Sequence, residues 1–293
     1  MLVYGGAVFT VLLLSLATSP VASQRFGIIT PSVEEKKKEL FNPHAFDMVK
    51  VQGRAYVVYD IVGQTVIAGK DETKSLPLAS ITKIMMALTA RMHHDKNATI
   101  VLASTPTDGF DLGLKKSQTW KLSELLKYTL VFSSNDGAEA IAQTFGGRDA
   151  FVGQMNADAA GLGLMLHFTD PAGLDTLTSL GGEGSALEVA KLLAVARVRF
   201  PEILDATTHE RITVTASTGR ISGVPNTNQV ISGLSGAEAS KTGFTDFAGG
   251  NLAVIVDISV GHPIAIVVLG STREDRFTDV ETLYQALRKS IVP

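Results

Sequence analysis

This 293-residue chain has no cysteine, which excludes disulfides, cysteine nucleophiles and thiolate metal sites. It has no basic excess either. Its 26 Lys and Arg stand against 29 Asp and Glu, a net charge of −3, and no tract marks a nucleic-acid surface. The six histidines, His44, His93, His94, His167, His209 and His262, are scattered, and adjacent residues such as His93 and His94 do not share a helix face. No metal site and no cofactor are expected. Aromatic residues are few, and there is no internal repeat or low-complexity segment. What is present is 45% apolar residues, enough for one large domain or two small ones around a sizeable core.

Charged side chains are also missing from Met1 to Gln24. Ala7 to Ala17 is apolar, and Val21-Ala-Ser23 offers small residues for cleavage after Ser23. No Lys or Arg precedes the apolar run, and the uncharged stretch is near the ~20 residues that span a bilayer. Export is expected, with cleavage and retention as an anchor both open. Residues 1–24 are therefore read as a signal peptide or N-terminal membrane anchor. Residues 25–50, with Lys36-Lys37-Lys38 among Glu34, Glu35 and Glu39, read as a solvated linker, and 51–293 as the domain that carries the chemistry.

Arg54–Ile61 and Thr65–Ala68 predict a hairpin around Val62-Gly63-Gln64. Helical patterns follow: from Ser80 to about His94, then Ser123–Val131, Asp136–Phe145, Arg148–Leu162 and Ala186–Phe200, the last stopped by Pro201. His167–Gly184 reads as loop. Strands return at Arg211–Ala216, Gly236–Gly243, Gly250–Ile258 and Ile264–Gly270, before a helix over Glu274–Ser290. Strands at both ends with helices between predict an α+β fold. Its antiparallel sheet would be built from both chain ends, with an inserted helical subdomain.

Three short clusters carry chemistry. Ser80-Ile-Thr-Lys83 is the only Ser-x-x-Lys, and a helix there would set a hydroxyl beside an amine one turn later, a nucleophile beside a base. Ser133-Ser-Asn135 falls at a turn between two predicted helices, where polar groups reach into clefts. Lys241-Thr-Gly243 lies near a strand end. Each cluster alone also suits a plain structural role, as a helix cap or a turn glycine. In this order they form the set found in penicillin-binding proteins and class A β-lactamases.

With Ala79-Ser-Ile-Thr-Lys83, Ser133-Ser-Asn-Asp136, Phe151-Val-Gly-Gln-Met-Asn156, Pro171-Ala-Gly-Leu-Asp175, Lys241-Thr-Gly-Phe-Thr245 and Val267-Val-Leu-Gly270, the chain resembles the serine-type D-Ala-D-Ala carboxypeptidases, the low-molecular-mass penicillin-binding proteins, from about Ala55 to Leu287. The resemblance implies that Ser80 attacks a peptidoglycan stem peptide ending in D-Ala-D-Ala and forms an acyl-enzyme, with β-lactams as covalent inhibitors. It implies Lys83 as general base, Ser133 as proton relay and Asn135 as a partner of Lys83 and the substrate. Lys241 and Thr242 would meet the terminal carboxylate, Gly243 would leave room for the substrate strand, and Ser80 and Phe244 would supply the oxyanion-hole N–H groups. Arg276 matches an arginine assisting carboxylate binding, with Arg273 as rival. It also implies an extracytoplasmic site of action, and possible membrane attachment is expected only through the N-terminal segment. A free lysine with a pKa near 10.4 costs about 4–5 kcal/mol to deprotonate at pH 7, so burial and a second cation, Lys241, are expected to act on Lys83.

Three positions depart from the family pattern. Ser240 replaces an apolar residue, Ala172 stands where histidine is frequent, and Ser134 is one of several tolerated residues. A class A β-lactamase would need Glu-x-x-x-Asn between Asn135 and Lys241, and Glu183, Glu188 and Glu202 all fail that pattern. A DD-endopeptidase and a non-catalytic penicillin sensor on the same fold remain as alternatives.

Overall fold

The computed structural model describes residues 40–103 and 114–292. The expectations for residues 1–24 and for most of the linker lie outside them. Residues 40–50, read from sequence as the end of that linker, are part of the fold. Phe41 bridges Ile291, a short 3-10 helix covers Pro43–Phe46, and Phe46 is buried in the core. The folded unit therefore begins about ten residues earlier than expected.

The chain opens with β1 (Ala55–Asp60), β2 (Thr65–Lys70) and the two-residue β3 (Leu76–Pro77). A 3-10 turn at Ala79–Thr82 leads into α1 (Lys83–His93). Then come β4 (Thr99–Val101), β5 (Thr119–Lys121), α2 (Leu122–Val131), α3 (Asn135–Thr144) and α4 (Arg148–Gly161). The expected loop at 167–184 contains the short strands β6 (His167–Phe168) and β7 (Gly182–Gly184). It is followed by α5 (Ala186–Arg199) and α6 (Pro201–Asp205), so Pro201 ends one helix by opening the next, a position that tolerates its missing N–H. Strands β8 (Arg211–Ala216), β9 (Gly219–Pro225), β10 (Ala237–Thr245), β11 (Gly249–Asp257) and β12 (Pro263–Ser271) precede α7 (Asp275–Ser290).

The main sheet has the order β10-β11-β12-β1-β2 and is antiparallel throughout, so both ends of the chain build it as expected. A half-solvated antiparallel sheet alternates apolar and polar residues, yet β1, β11 and β12 are almost continuously apolar. The reason is that both faces are covered. Tyr56, Val58, Val254, Ile266 and Val268 pack against Val280, Leu283 and Leu287 of α7. Their neighbours Val57, Ala253, Ile255, Ala265 and Val267 point the other way, into the core shared with Ile84, Met85 and Leu192 of α1 and α5. This arrangement holds β10 as the outer strand of the sheet beside the buried start of α1. Among the described residues, no helix is long and apolar enough to cross a membrane.

Candidate active site

Ser80 sits in the 3-10 turn rather than inside an α-helix, a small correction to the expected geometry. The turn has a cause. Ala79 adopts φ 49°, a left-handed conformation uncommon for a residue with a Cβ, and throws the next residue out of line. Neighbours hold it there. The buried Asn251 of β11 donates from Nδ2 to the carbonyls of Pro77 and Leu78, both at 3.0 Å, and accepts from the Gly270 N–H at 2.8 Å. Gly173 and Gly243 press on the same turn. A Cβ on Gly173 would lie 2.0 Å from the Ala79 oxygen, and one on Gly243 would lie 2.8 Å from the Leu78 oxygen. Backbone strain of this kind persists where surrounding structure over-determines it, typically at sites of function.

Lys83, the first residue of α1, is fully buried. Its Nζ lies 2.7 Å from Ser80 Oγ, 2.8 Å from Asn135 Oδ1 and 2.9 Å from the Ala172 carbonyl. Ala172 meets Lys83 through its backbone oxygen, while its methyl group is buried in the core. Asp170 fixes that oxygen: its Oδ1 accepts from the N–H groups of Ala172 at 2.7 Å and Leu174 at 2.9 Å, and its Oδ2 is ion-paired with Arg148.

Ser133 occupies the turn between α2 and α3 and is also left-handed, at φ 66°. Ser134 caps α3 by accepting from the Gly137 N–H at 2.8 Å, which leaves Ser133 and Asn135 on the cleft side. Lys241 reaches across from β10: its Nζ donates to Ser133 Oγ at 2.8 Å and to the Thr242 carbonyl at 2.9 Å. Burial first, then the like charges of Lys83 and Arg276, push the Lys241 amine well below its ordinary value.

Arg276 lies in the first turn of α7 and is buried rather than solvated. It is 8% exposed, and its Nη1 donates to the Gly243 carbonyl at 2.8 Å. Burial and Arg273 lower it to about 10. Arg273 lies 4.8 Å from the Phe244 ring, so both arginines flank the same strand. Among the described residues, neither Lys241 nor Arg276 is ion-paired with a carboxylate. Buried positive charge without a protein anion suits an anionic ligand.

The edge of β10 is polarised in a way that sequence did not show. Ser240 donates its N–H to Thr207 Oγ1 at 2.9 Å and its hydroxyl to the Thr207 carbonyl at 3.0 Å, which satisfies this departure from the family pattern. Residues two apart on a strand direct their N–H groups to the same side. Thr242 and Phe244 therefore direct their N–H groups to the outer edge with Ser240. Thr242 Oγ1 donates to Thr227 Oγ1 at 2.7 Å.

The structure thus places Ser80, Lys83 and Asn135 in one hydrogen-bonded group and Ser133 and Lys241 in another near it, with Thr242, Gly243 and Arg276 alongside. The profile of the peptidase S11 family, D-alanyl-D-alanine carboxypeptidase, matches residues 41–273. The chain belongs to this family. It is 33% identical over 202 residues to D-alanyl-D-alanine carboxypeptidase DacB2 of Mycobacterium tuberculosis, covering 67% of each chain. It is 30% identical over 225 residues to a D-alanyl-D-alanine endopeptidase of Pseudomonas aeruginosa, covering 74% of this chain and 70% of that one. A crystal structure of a D-alanyl-D-alanine carboxypeptidase from M. tuberculosis superposes with a TM-score of 0.74 at 26% identity, over 81% of this chain and 91% of that one. Penicillin-binding protein D2 of Listeria monocytogenes, in its cefotaxime-bound form, shares the fold at a TM-score of 0.71 and 24% identity, over 81% and 98%. The S11 peptidase described here is thus a peptidase hydrolase on the penicillin-binding fold.

Sequence reasoning missed Asp170, Asn251, Thr207 and Thr227. Asn251 left a signal, because an asparagine inside an apolar strand run needs buried partners. The two threonines left none.

Proposed function

We propose that this S11 peptidase is a serine D-Ala-D-Ala carboxypeptidase acting through an acyl-enzyme on Ser80. The observation that carries the reading is Ser80 Oγ at 2.7 Å from Lys83 Nζ, with Asn135 Oδ1 and the Ala172 carbonyl around the same nitrogen. A neutral amine has two N–H donors and one lone pair. The donors suit Asn135 and Ala172, and the lone pair then accepts the Ser80 hydroxyl proton. Once protonated, Lys83 donates to all three oxygens without moving them.

Ser80 Oγ attacks the carbonyl carbon of the penultimate D-Ala as its proton passes to Lys83 Nζ. The negative charge on the carbonyl oxygen is met by the N–H groups of Ser80 and Phe244. Collapse breaks the C–N bond. The leaving amine takes a proton through Ser133, which is hydrogen-bonded to Lys241, the proton that Lys83 received replaces it, and free D-Ala departs with Lys83 neutral again. Water then attacks the ester and returns the proton to Ser80. Lys241, Thr242 and Arg276 hold the terminal carboxylate, and Gly243 lets the substrate lie along β10 as an added strand.

β-Lactams, which mimic the same acyl donor, are proposed to acylate Ser80 and to leave slowly. Two carboxylates of the loop beside the site are committed elsewhere: Asp170 to Ala172, Leu174 and Arg148, and Asp175 to the Gly181 N–H and Thr245 Oγ1. The substrate lies outside the cytoplasmic membrane, and the uncharged segment Met1–Gln24 supports export, cleaved or anchored.

The test is labelling with a fluorescent penicillin, location of the adduct by mass spectrometry, and D-Ala release from diacetyl-Lys-D-Ala-D-Ala. An adduct on Ser80 that disappears in Ser80→Ala, together with D-Ala release, is expected. An adduct on another residue, or labelling without release, would overturn the assignment.

A further inference from the structure

Beside one end of β10, residues outside the motif clusters named above tie the strand to the segment that carries Ser133. Thr227 touches both. Its N–H and its hydroxyl bond the Val131 carbonyl at 3.1 and 3.3 Å, on the side that carries Ser133. Its Oγ1 accepts from Thr242 Oγ1 at 2.7 Å, on the side of the strand. Behind it, Asn226 Nδ2 donates to the carbonyls of Thr207 at 2.8 Å and His209 at 2.9 Å. Thr207 in turn occupies the edge N–H of Ser240 and is 1% exposed. Thr227, Asn226 and Thr207 thus form one hydrogen-bonded block beside the strand.

Pairing rules place this block relative to a substrate, given the carboxypeptidase reading above. A residue whose carbonyl accepts the Phe244 N–H pairs with Phe244, and in an antiparallel partner the following residue lies opposite Gly243 and the next opposite Thr242. The leaving residue therefore sits opposite Gly243, and its carboxylate reaches Lys241 and Thr242. A substrate extended through that carboxyl would need the space opposite Thr242, which Thr227 crosses.

We infer that Thr227, backed by Asn226 and Thr207, is the specificity-determining stop that restricts this peptidase to substrates with one residue beyond the scissile bond. The requirement for a free C-terminal carboxylate then has two parts. The cations attract the carboxylate, and the block excludes whatever would follow it.

The experiment compares kcat/KM for diacetyl-Lys-D-Ala-D-Ala with that for the same peptide extended by a C-terminal glycine, cleaved at the same bond. Wild type is expected to favour the free acid by about 100-fold or more, the scale of discrimination by a shaped polar site. Thr227→Gly is expected to raise the extended-to-free ratio by about 10-fold, while Thr227→Ser, which keeps the hydroxyl, retains wild-type discrimination. Penicillin labelling of Ser80 in each variant reports an intact site. Wild type cutting both peptides within about threefold overturns the stop and leaves the carboxypeptidase reading standing. An unchanged ratio in a labelled Thr227→Gly protein removes the assignment to Thr227. Failure of wild type to cut the free acid sinks the carboxypeptidase reading itself, and this inference with it.

Discussion

Two lysines share the cleft and are held in different ways. Lys83 is surrounded by a hydroxyl, an amide oxygen and a backbone carbonyl, each contributed by a different segment. Lys241 has the Ser133 hydroxyl and the carbonyl of its own neighbour Thr242, and it faces two other cations, Lys83 and Arg276. The first environment satisfies an amine in either protonation state and suits proton traffic. The second leaves positive charge without a counter-ion and suits capture of an anion. Residue type and burial are nearly the same in both, so the division of labour comes from the partners.

The largest expected effect separates them most sharply. Lys83→Met should lower the rate of acylation, by substrate and by β-lactam alike, by about 10³-fold, the scale of a lost general base. Stopped-flow acylation measures this, and a loss under tenfold would mean that the proton goes elsewhere. Lys241→Met should act mainly on recognition of the carboxylate. It should cut kcat/KM for the free-acid peptide by about 10²-fold and cut it much less for the C-terminal amide, because a charge-assisted bond is lost only where a carboxylate exists. Equal losses on both peptides would make the two lysines a single functional unit.

Support for the two sides should also differ. Asn251→Leu removes an amide that serves the Pro77 and Leu78 carbonyls and the Gly270 N–H. Leaving these buried groups unpaired should cost about 2–4 kcal/mol and lower the thermal midpoint, with acylation slowed because the Ser80 turn loosens. A midpoint within a degree of wild type would show that the turn holds itself. The smallest effect is expected at Arg273, which makes a cation–π contact with Phe244. Arg273→Ala should raise KM by about fivefold or less, the scale of one such contact. A larger change would transfer the carboxylate role from Arg276.

Much of this arrangement is legible in the chain. The apolar runs of β1, β11 and β12, the helix starts at Ser134 and Arg148 and the three motif clusters all rest on local pattern, and each lies within a residue or two of its expected place. The strands β3, β6 and β7 were invisible because two or three residues carry no period, and long-range pairing alone makes them strands. The same limit hid the Thr227 block. Its bonds join residues about 15 to 100 positions apart, and threonine is an ordinary loop residue. The left-handed Ala79 was hidden too, since it is imposed by glycines and an asparagine far along the chain.

The absence of cysteine permits the most direct test of the comparison. Lys83→Cys and Lys241→Cys, each aminoethylated in the unfolded state and refolded, restore the amine with a sulfur in the side chain that makes it less basic. The measurement is the pH profile of kcat/KM for diacetyl-Lys-D-Ala-D-Ala. Lys83 must be neutral to act, so its replacement should move the acid limb to lower pH. Lys241 must be charged to hold the carboxylate, and its amine already titrates well below 10.5. Activity should therefore fall as pH rises through that lowered value, and the Lys241 replacement should move the alkaline limb to still lower pH. An acid limb that follows Lys241, or that ignores Lys83, would contradict the account.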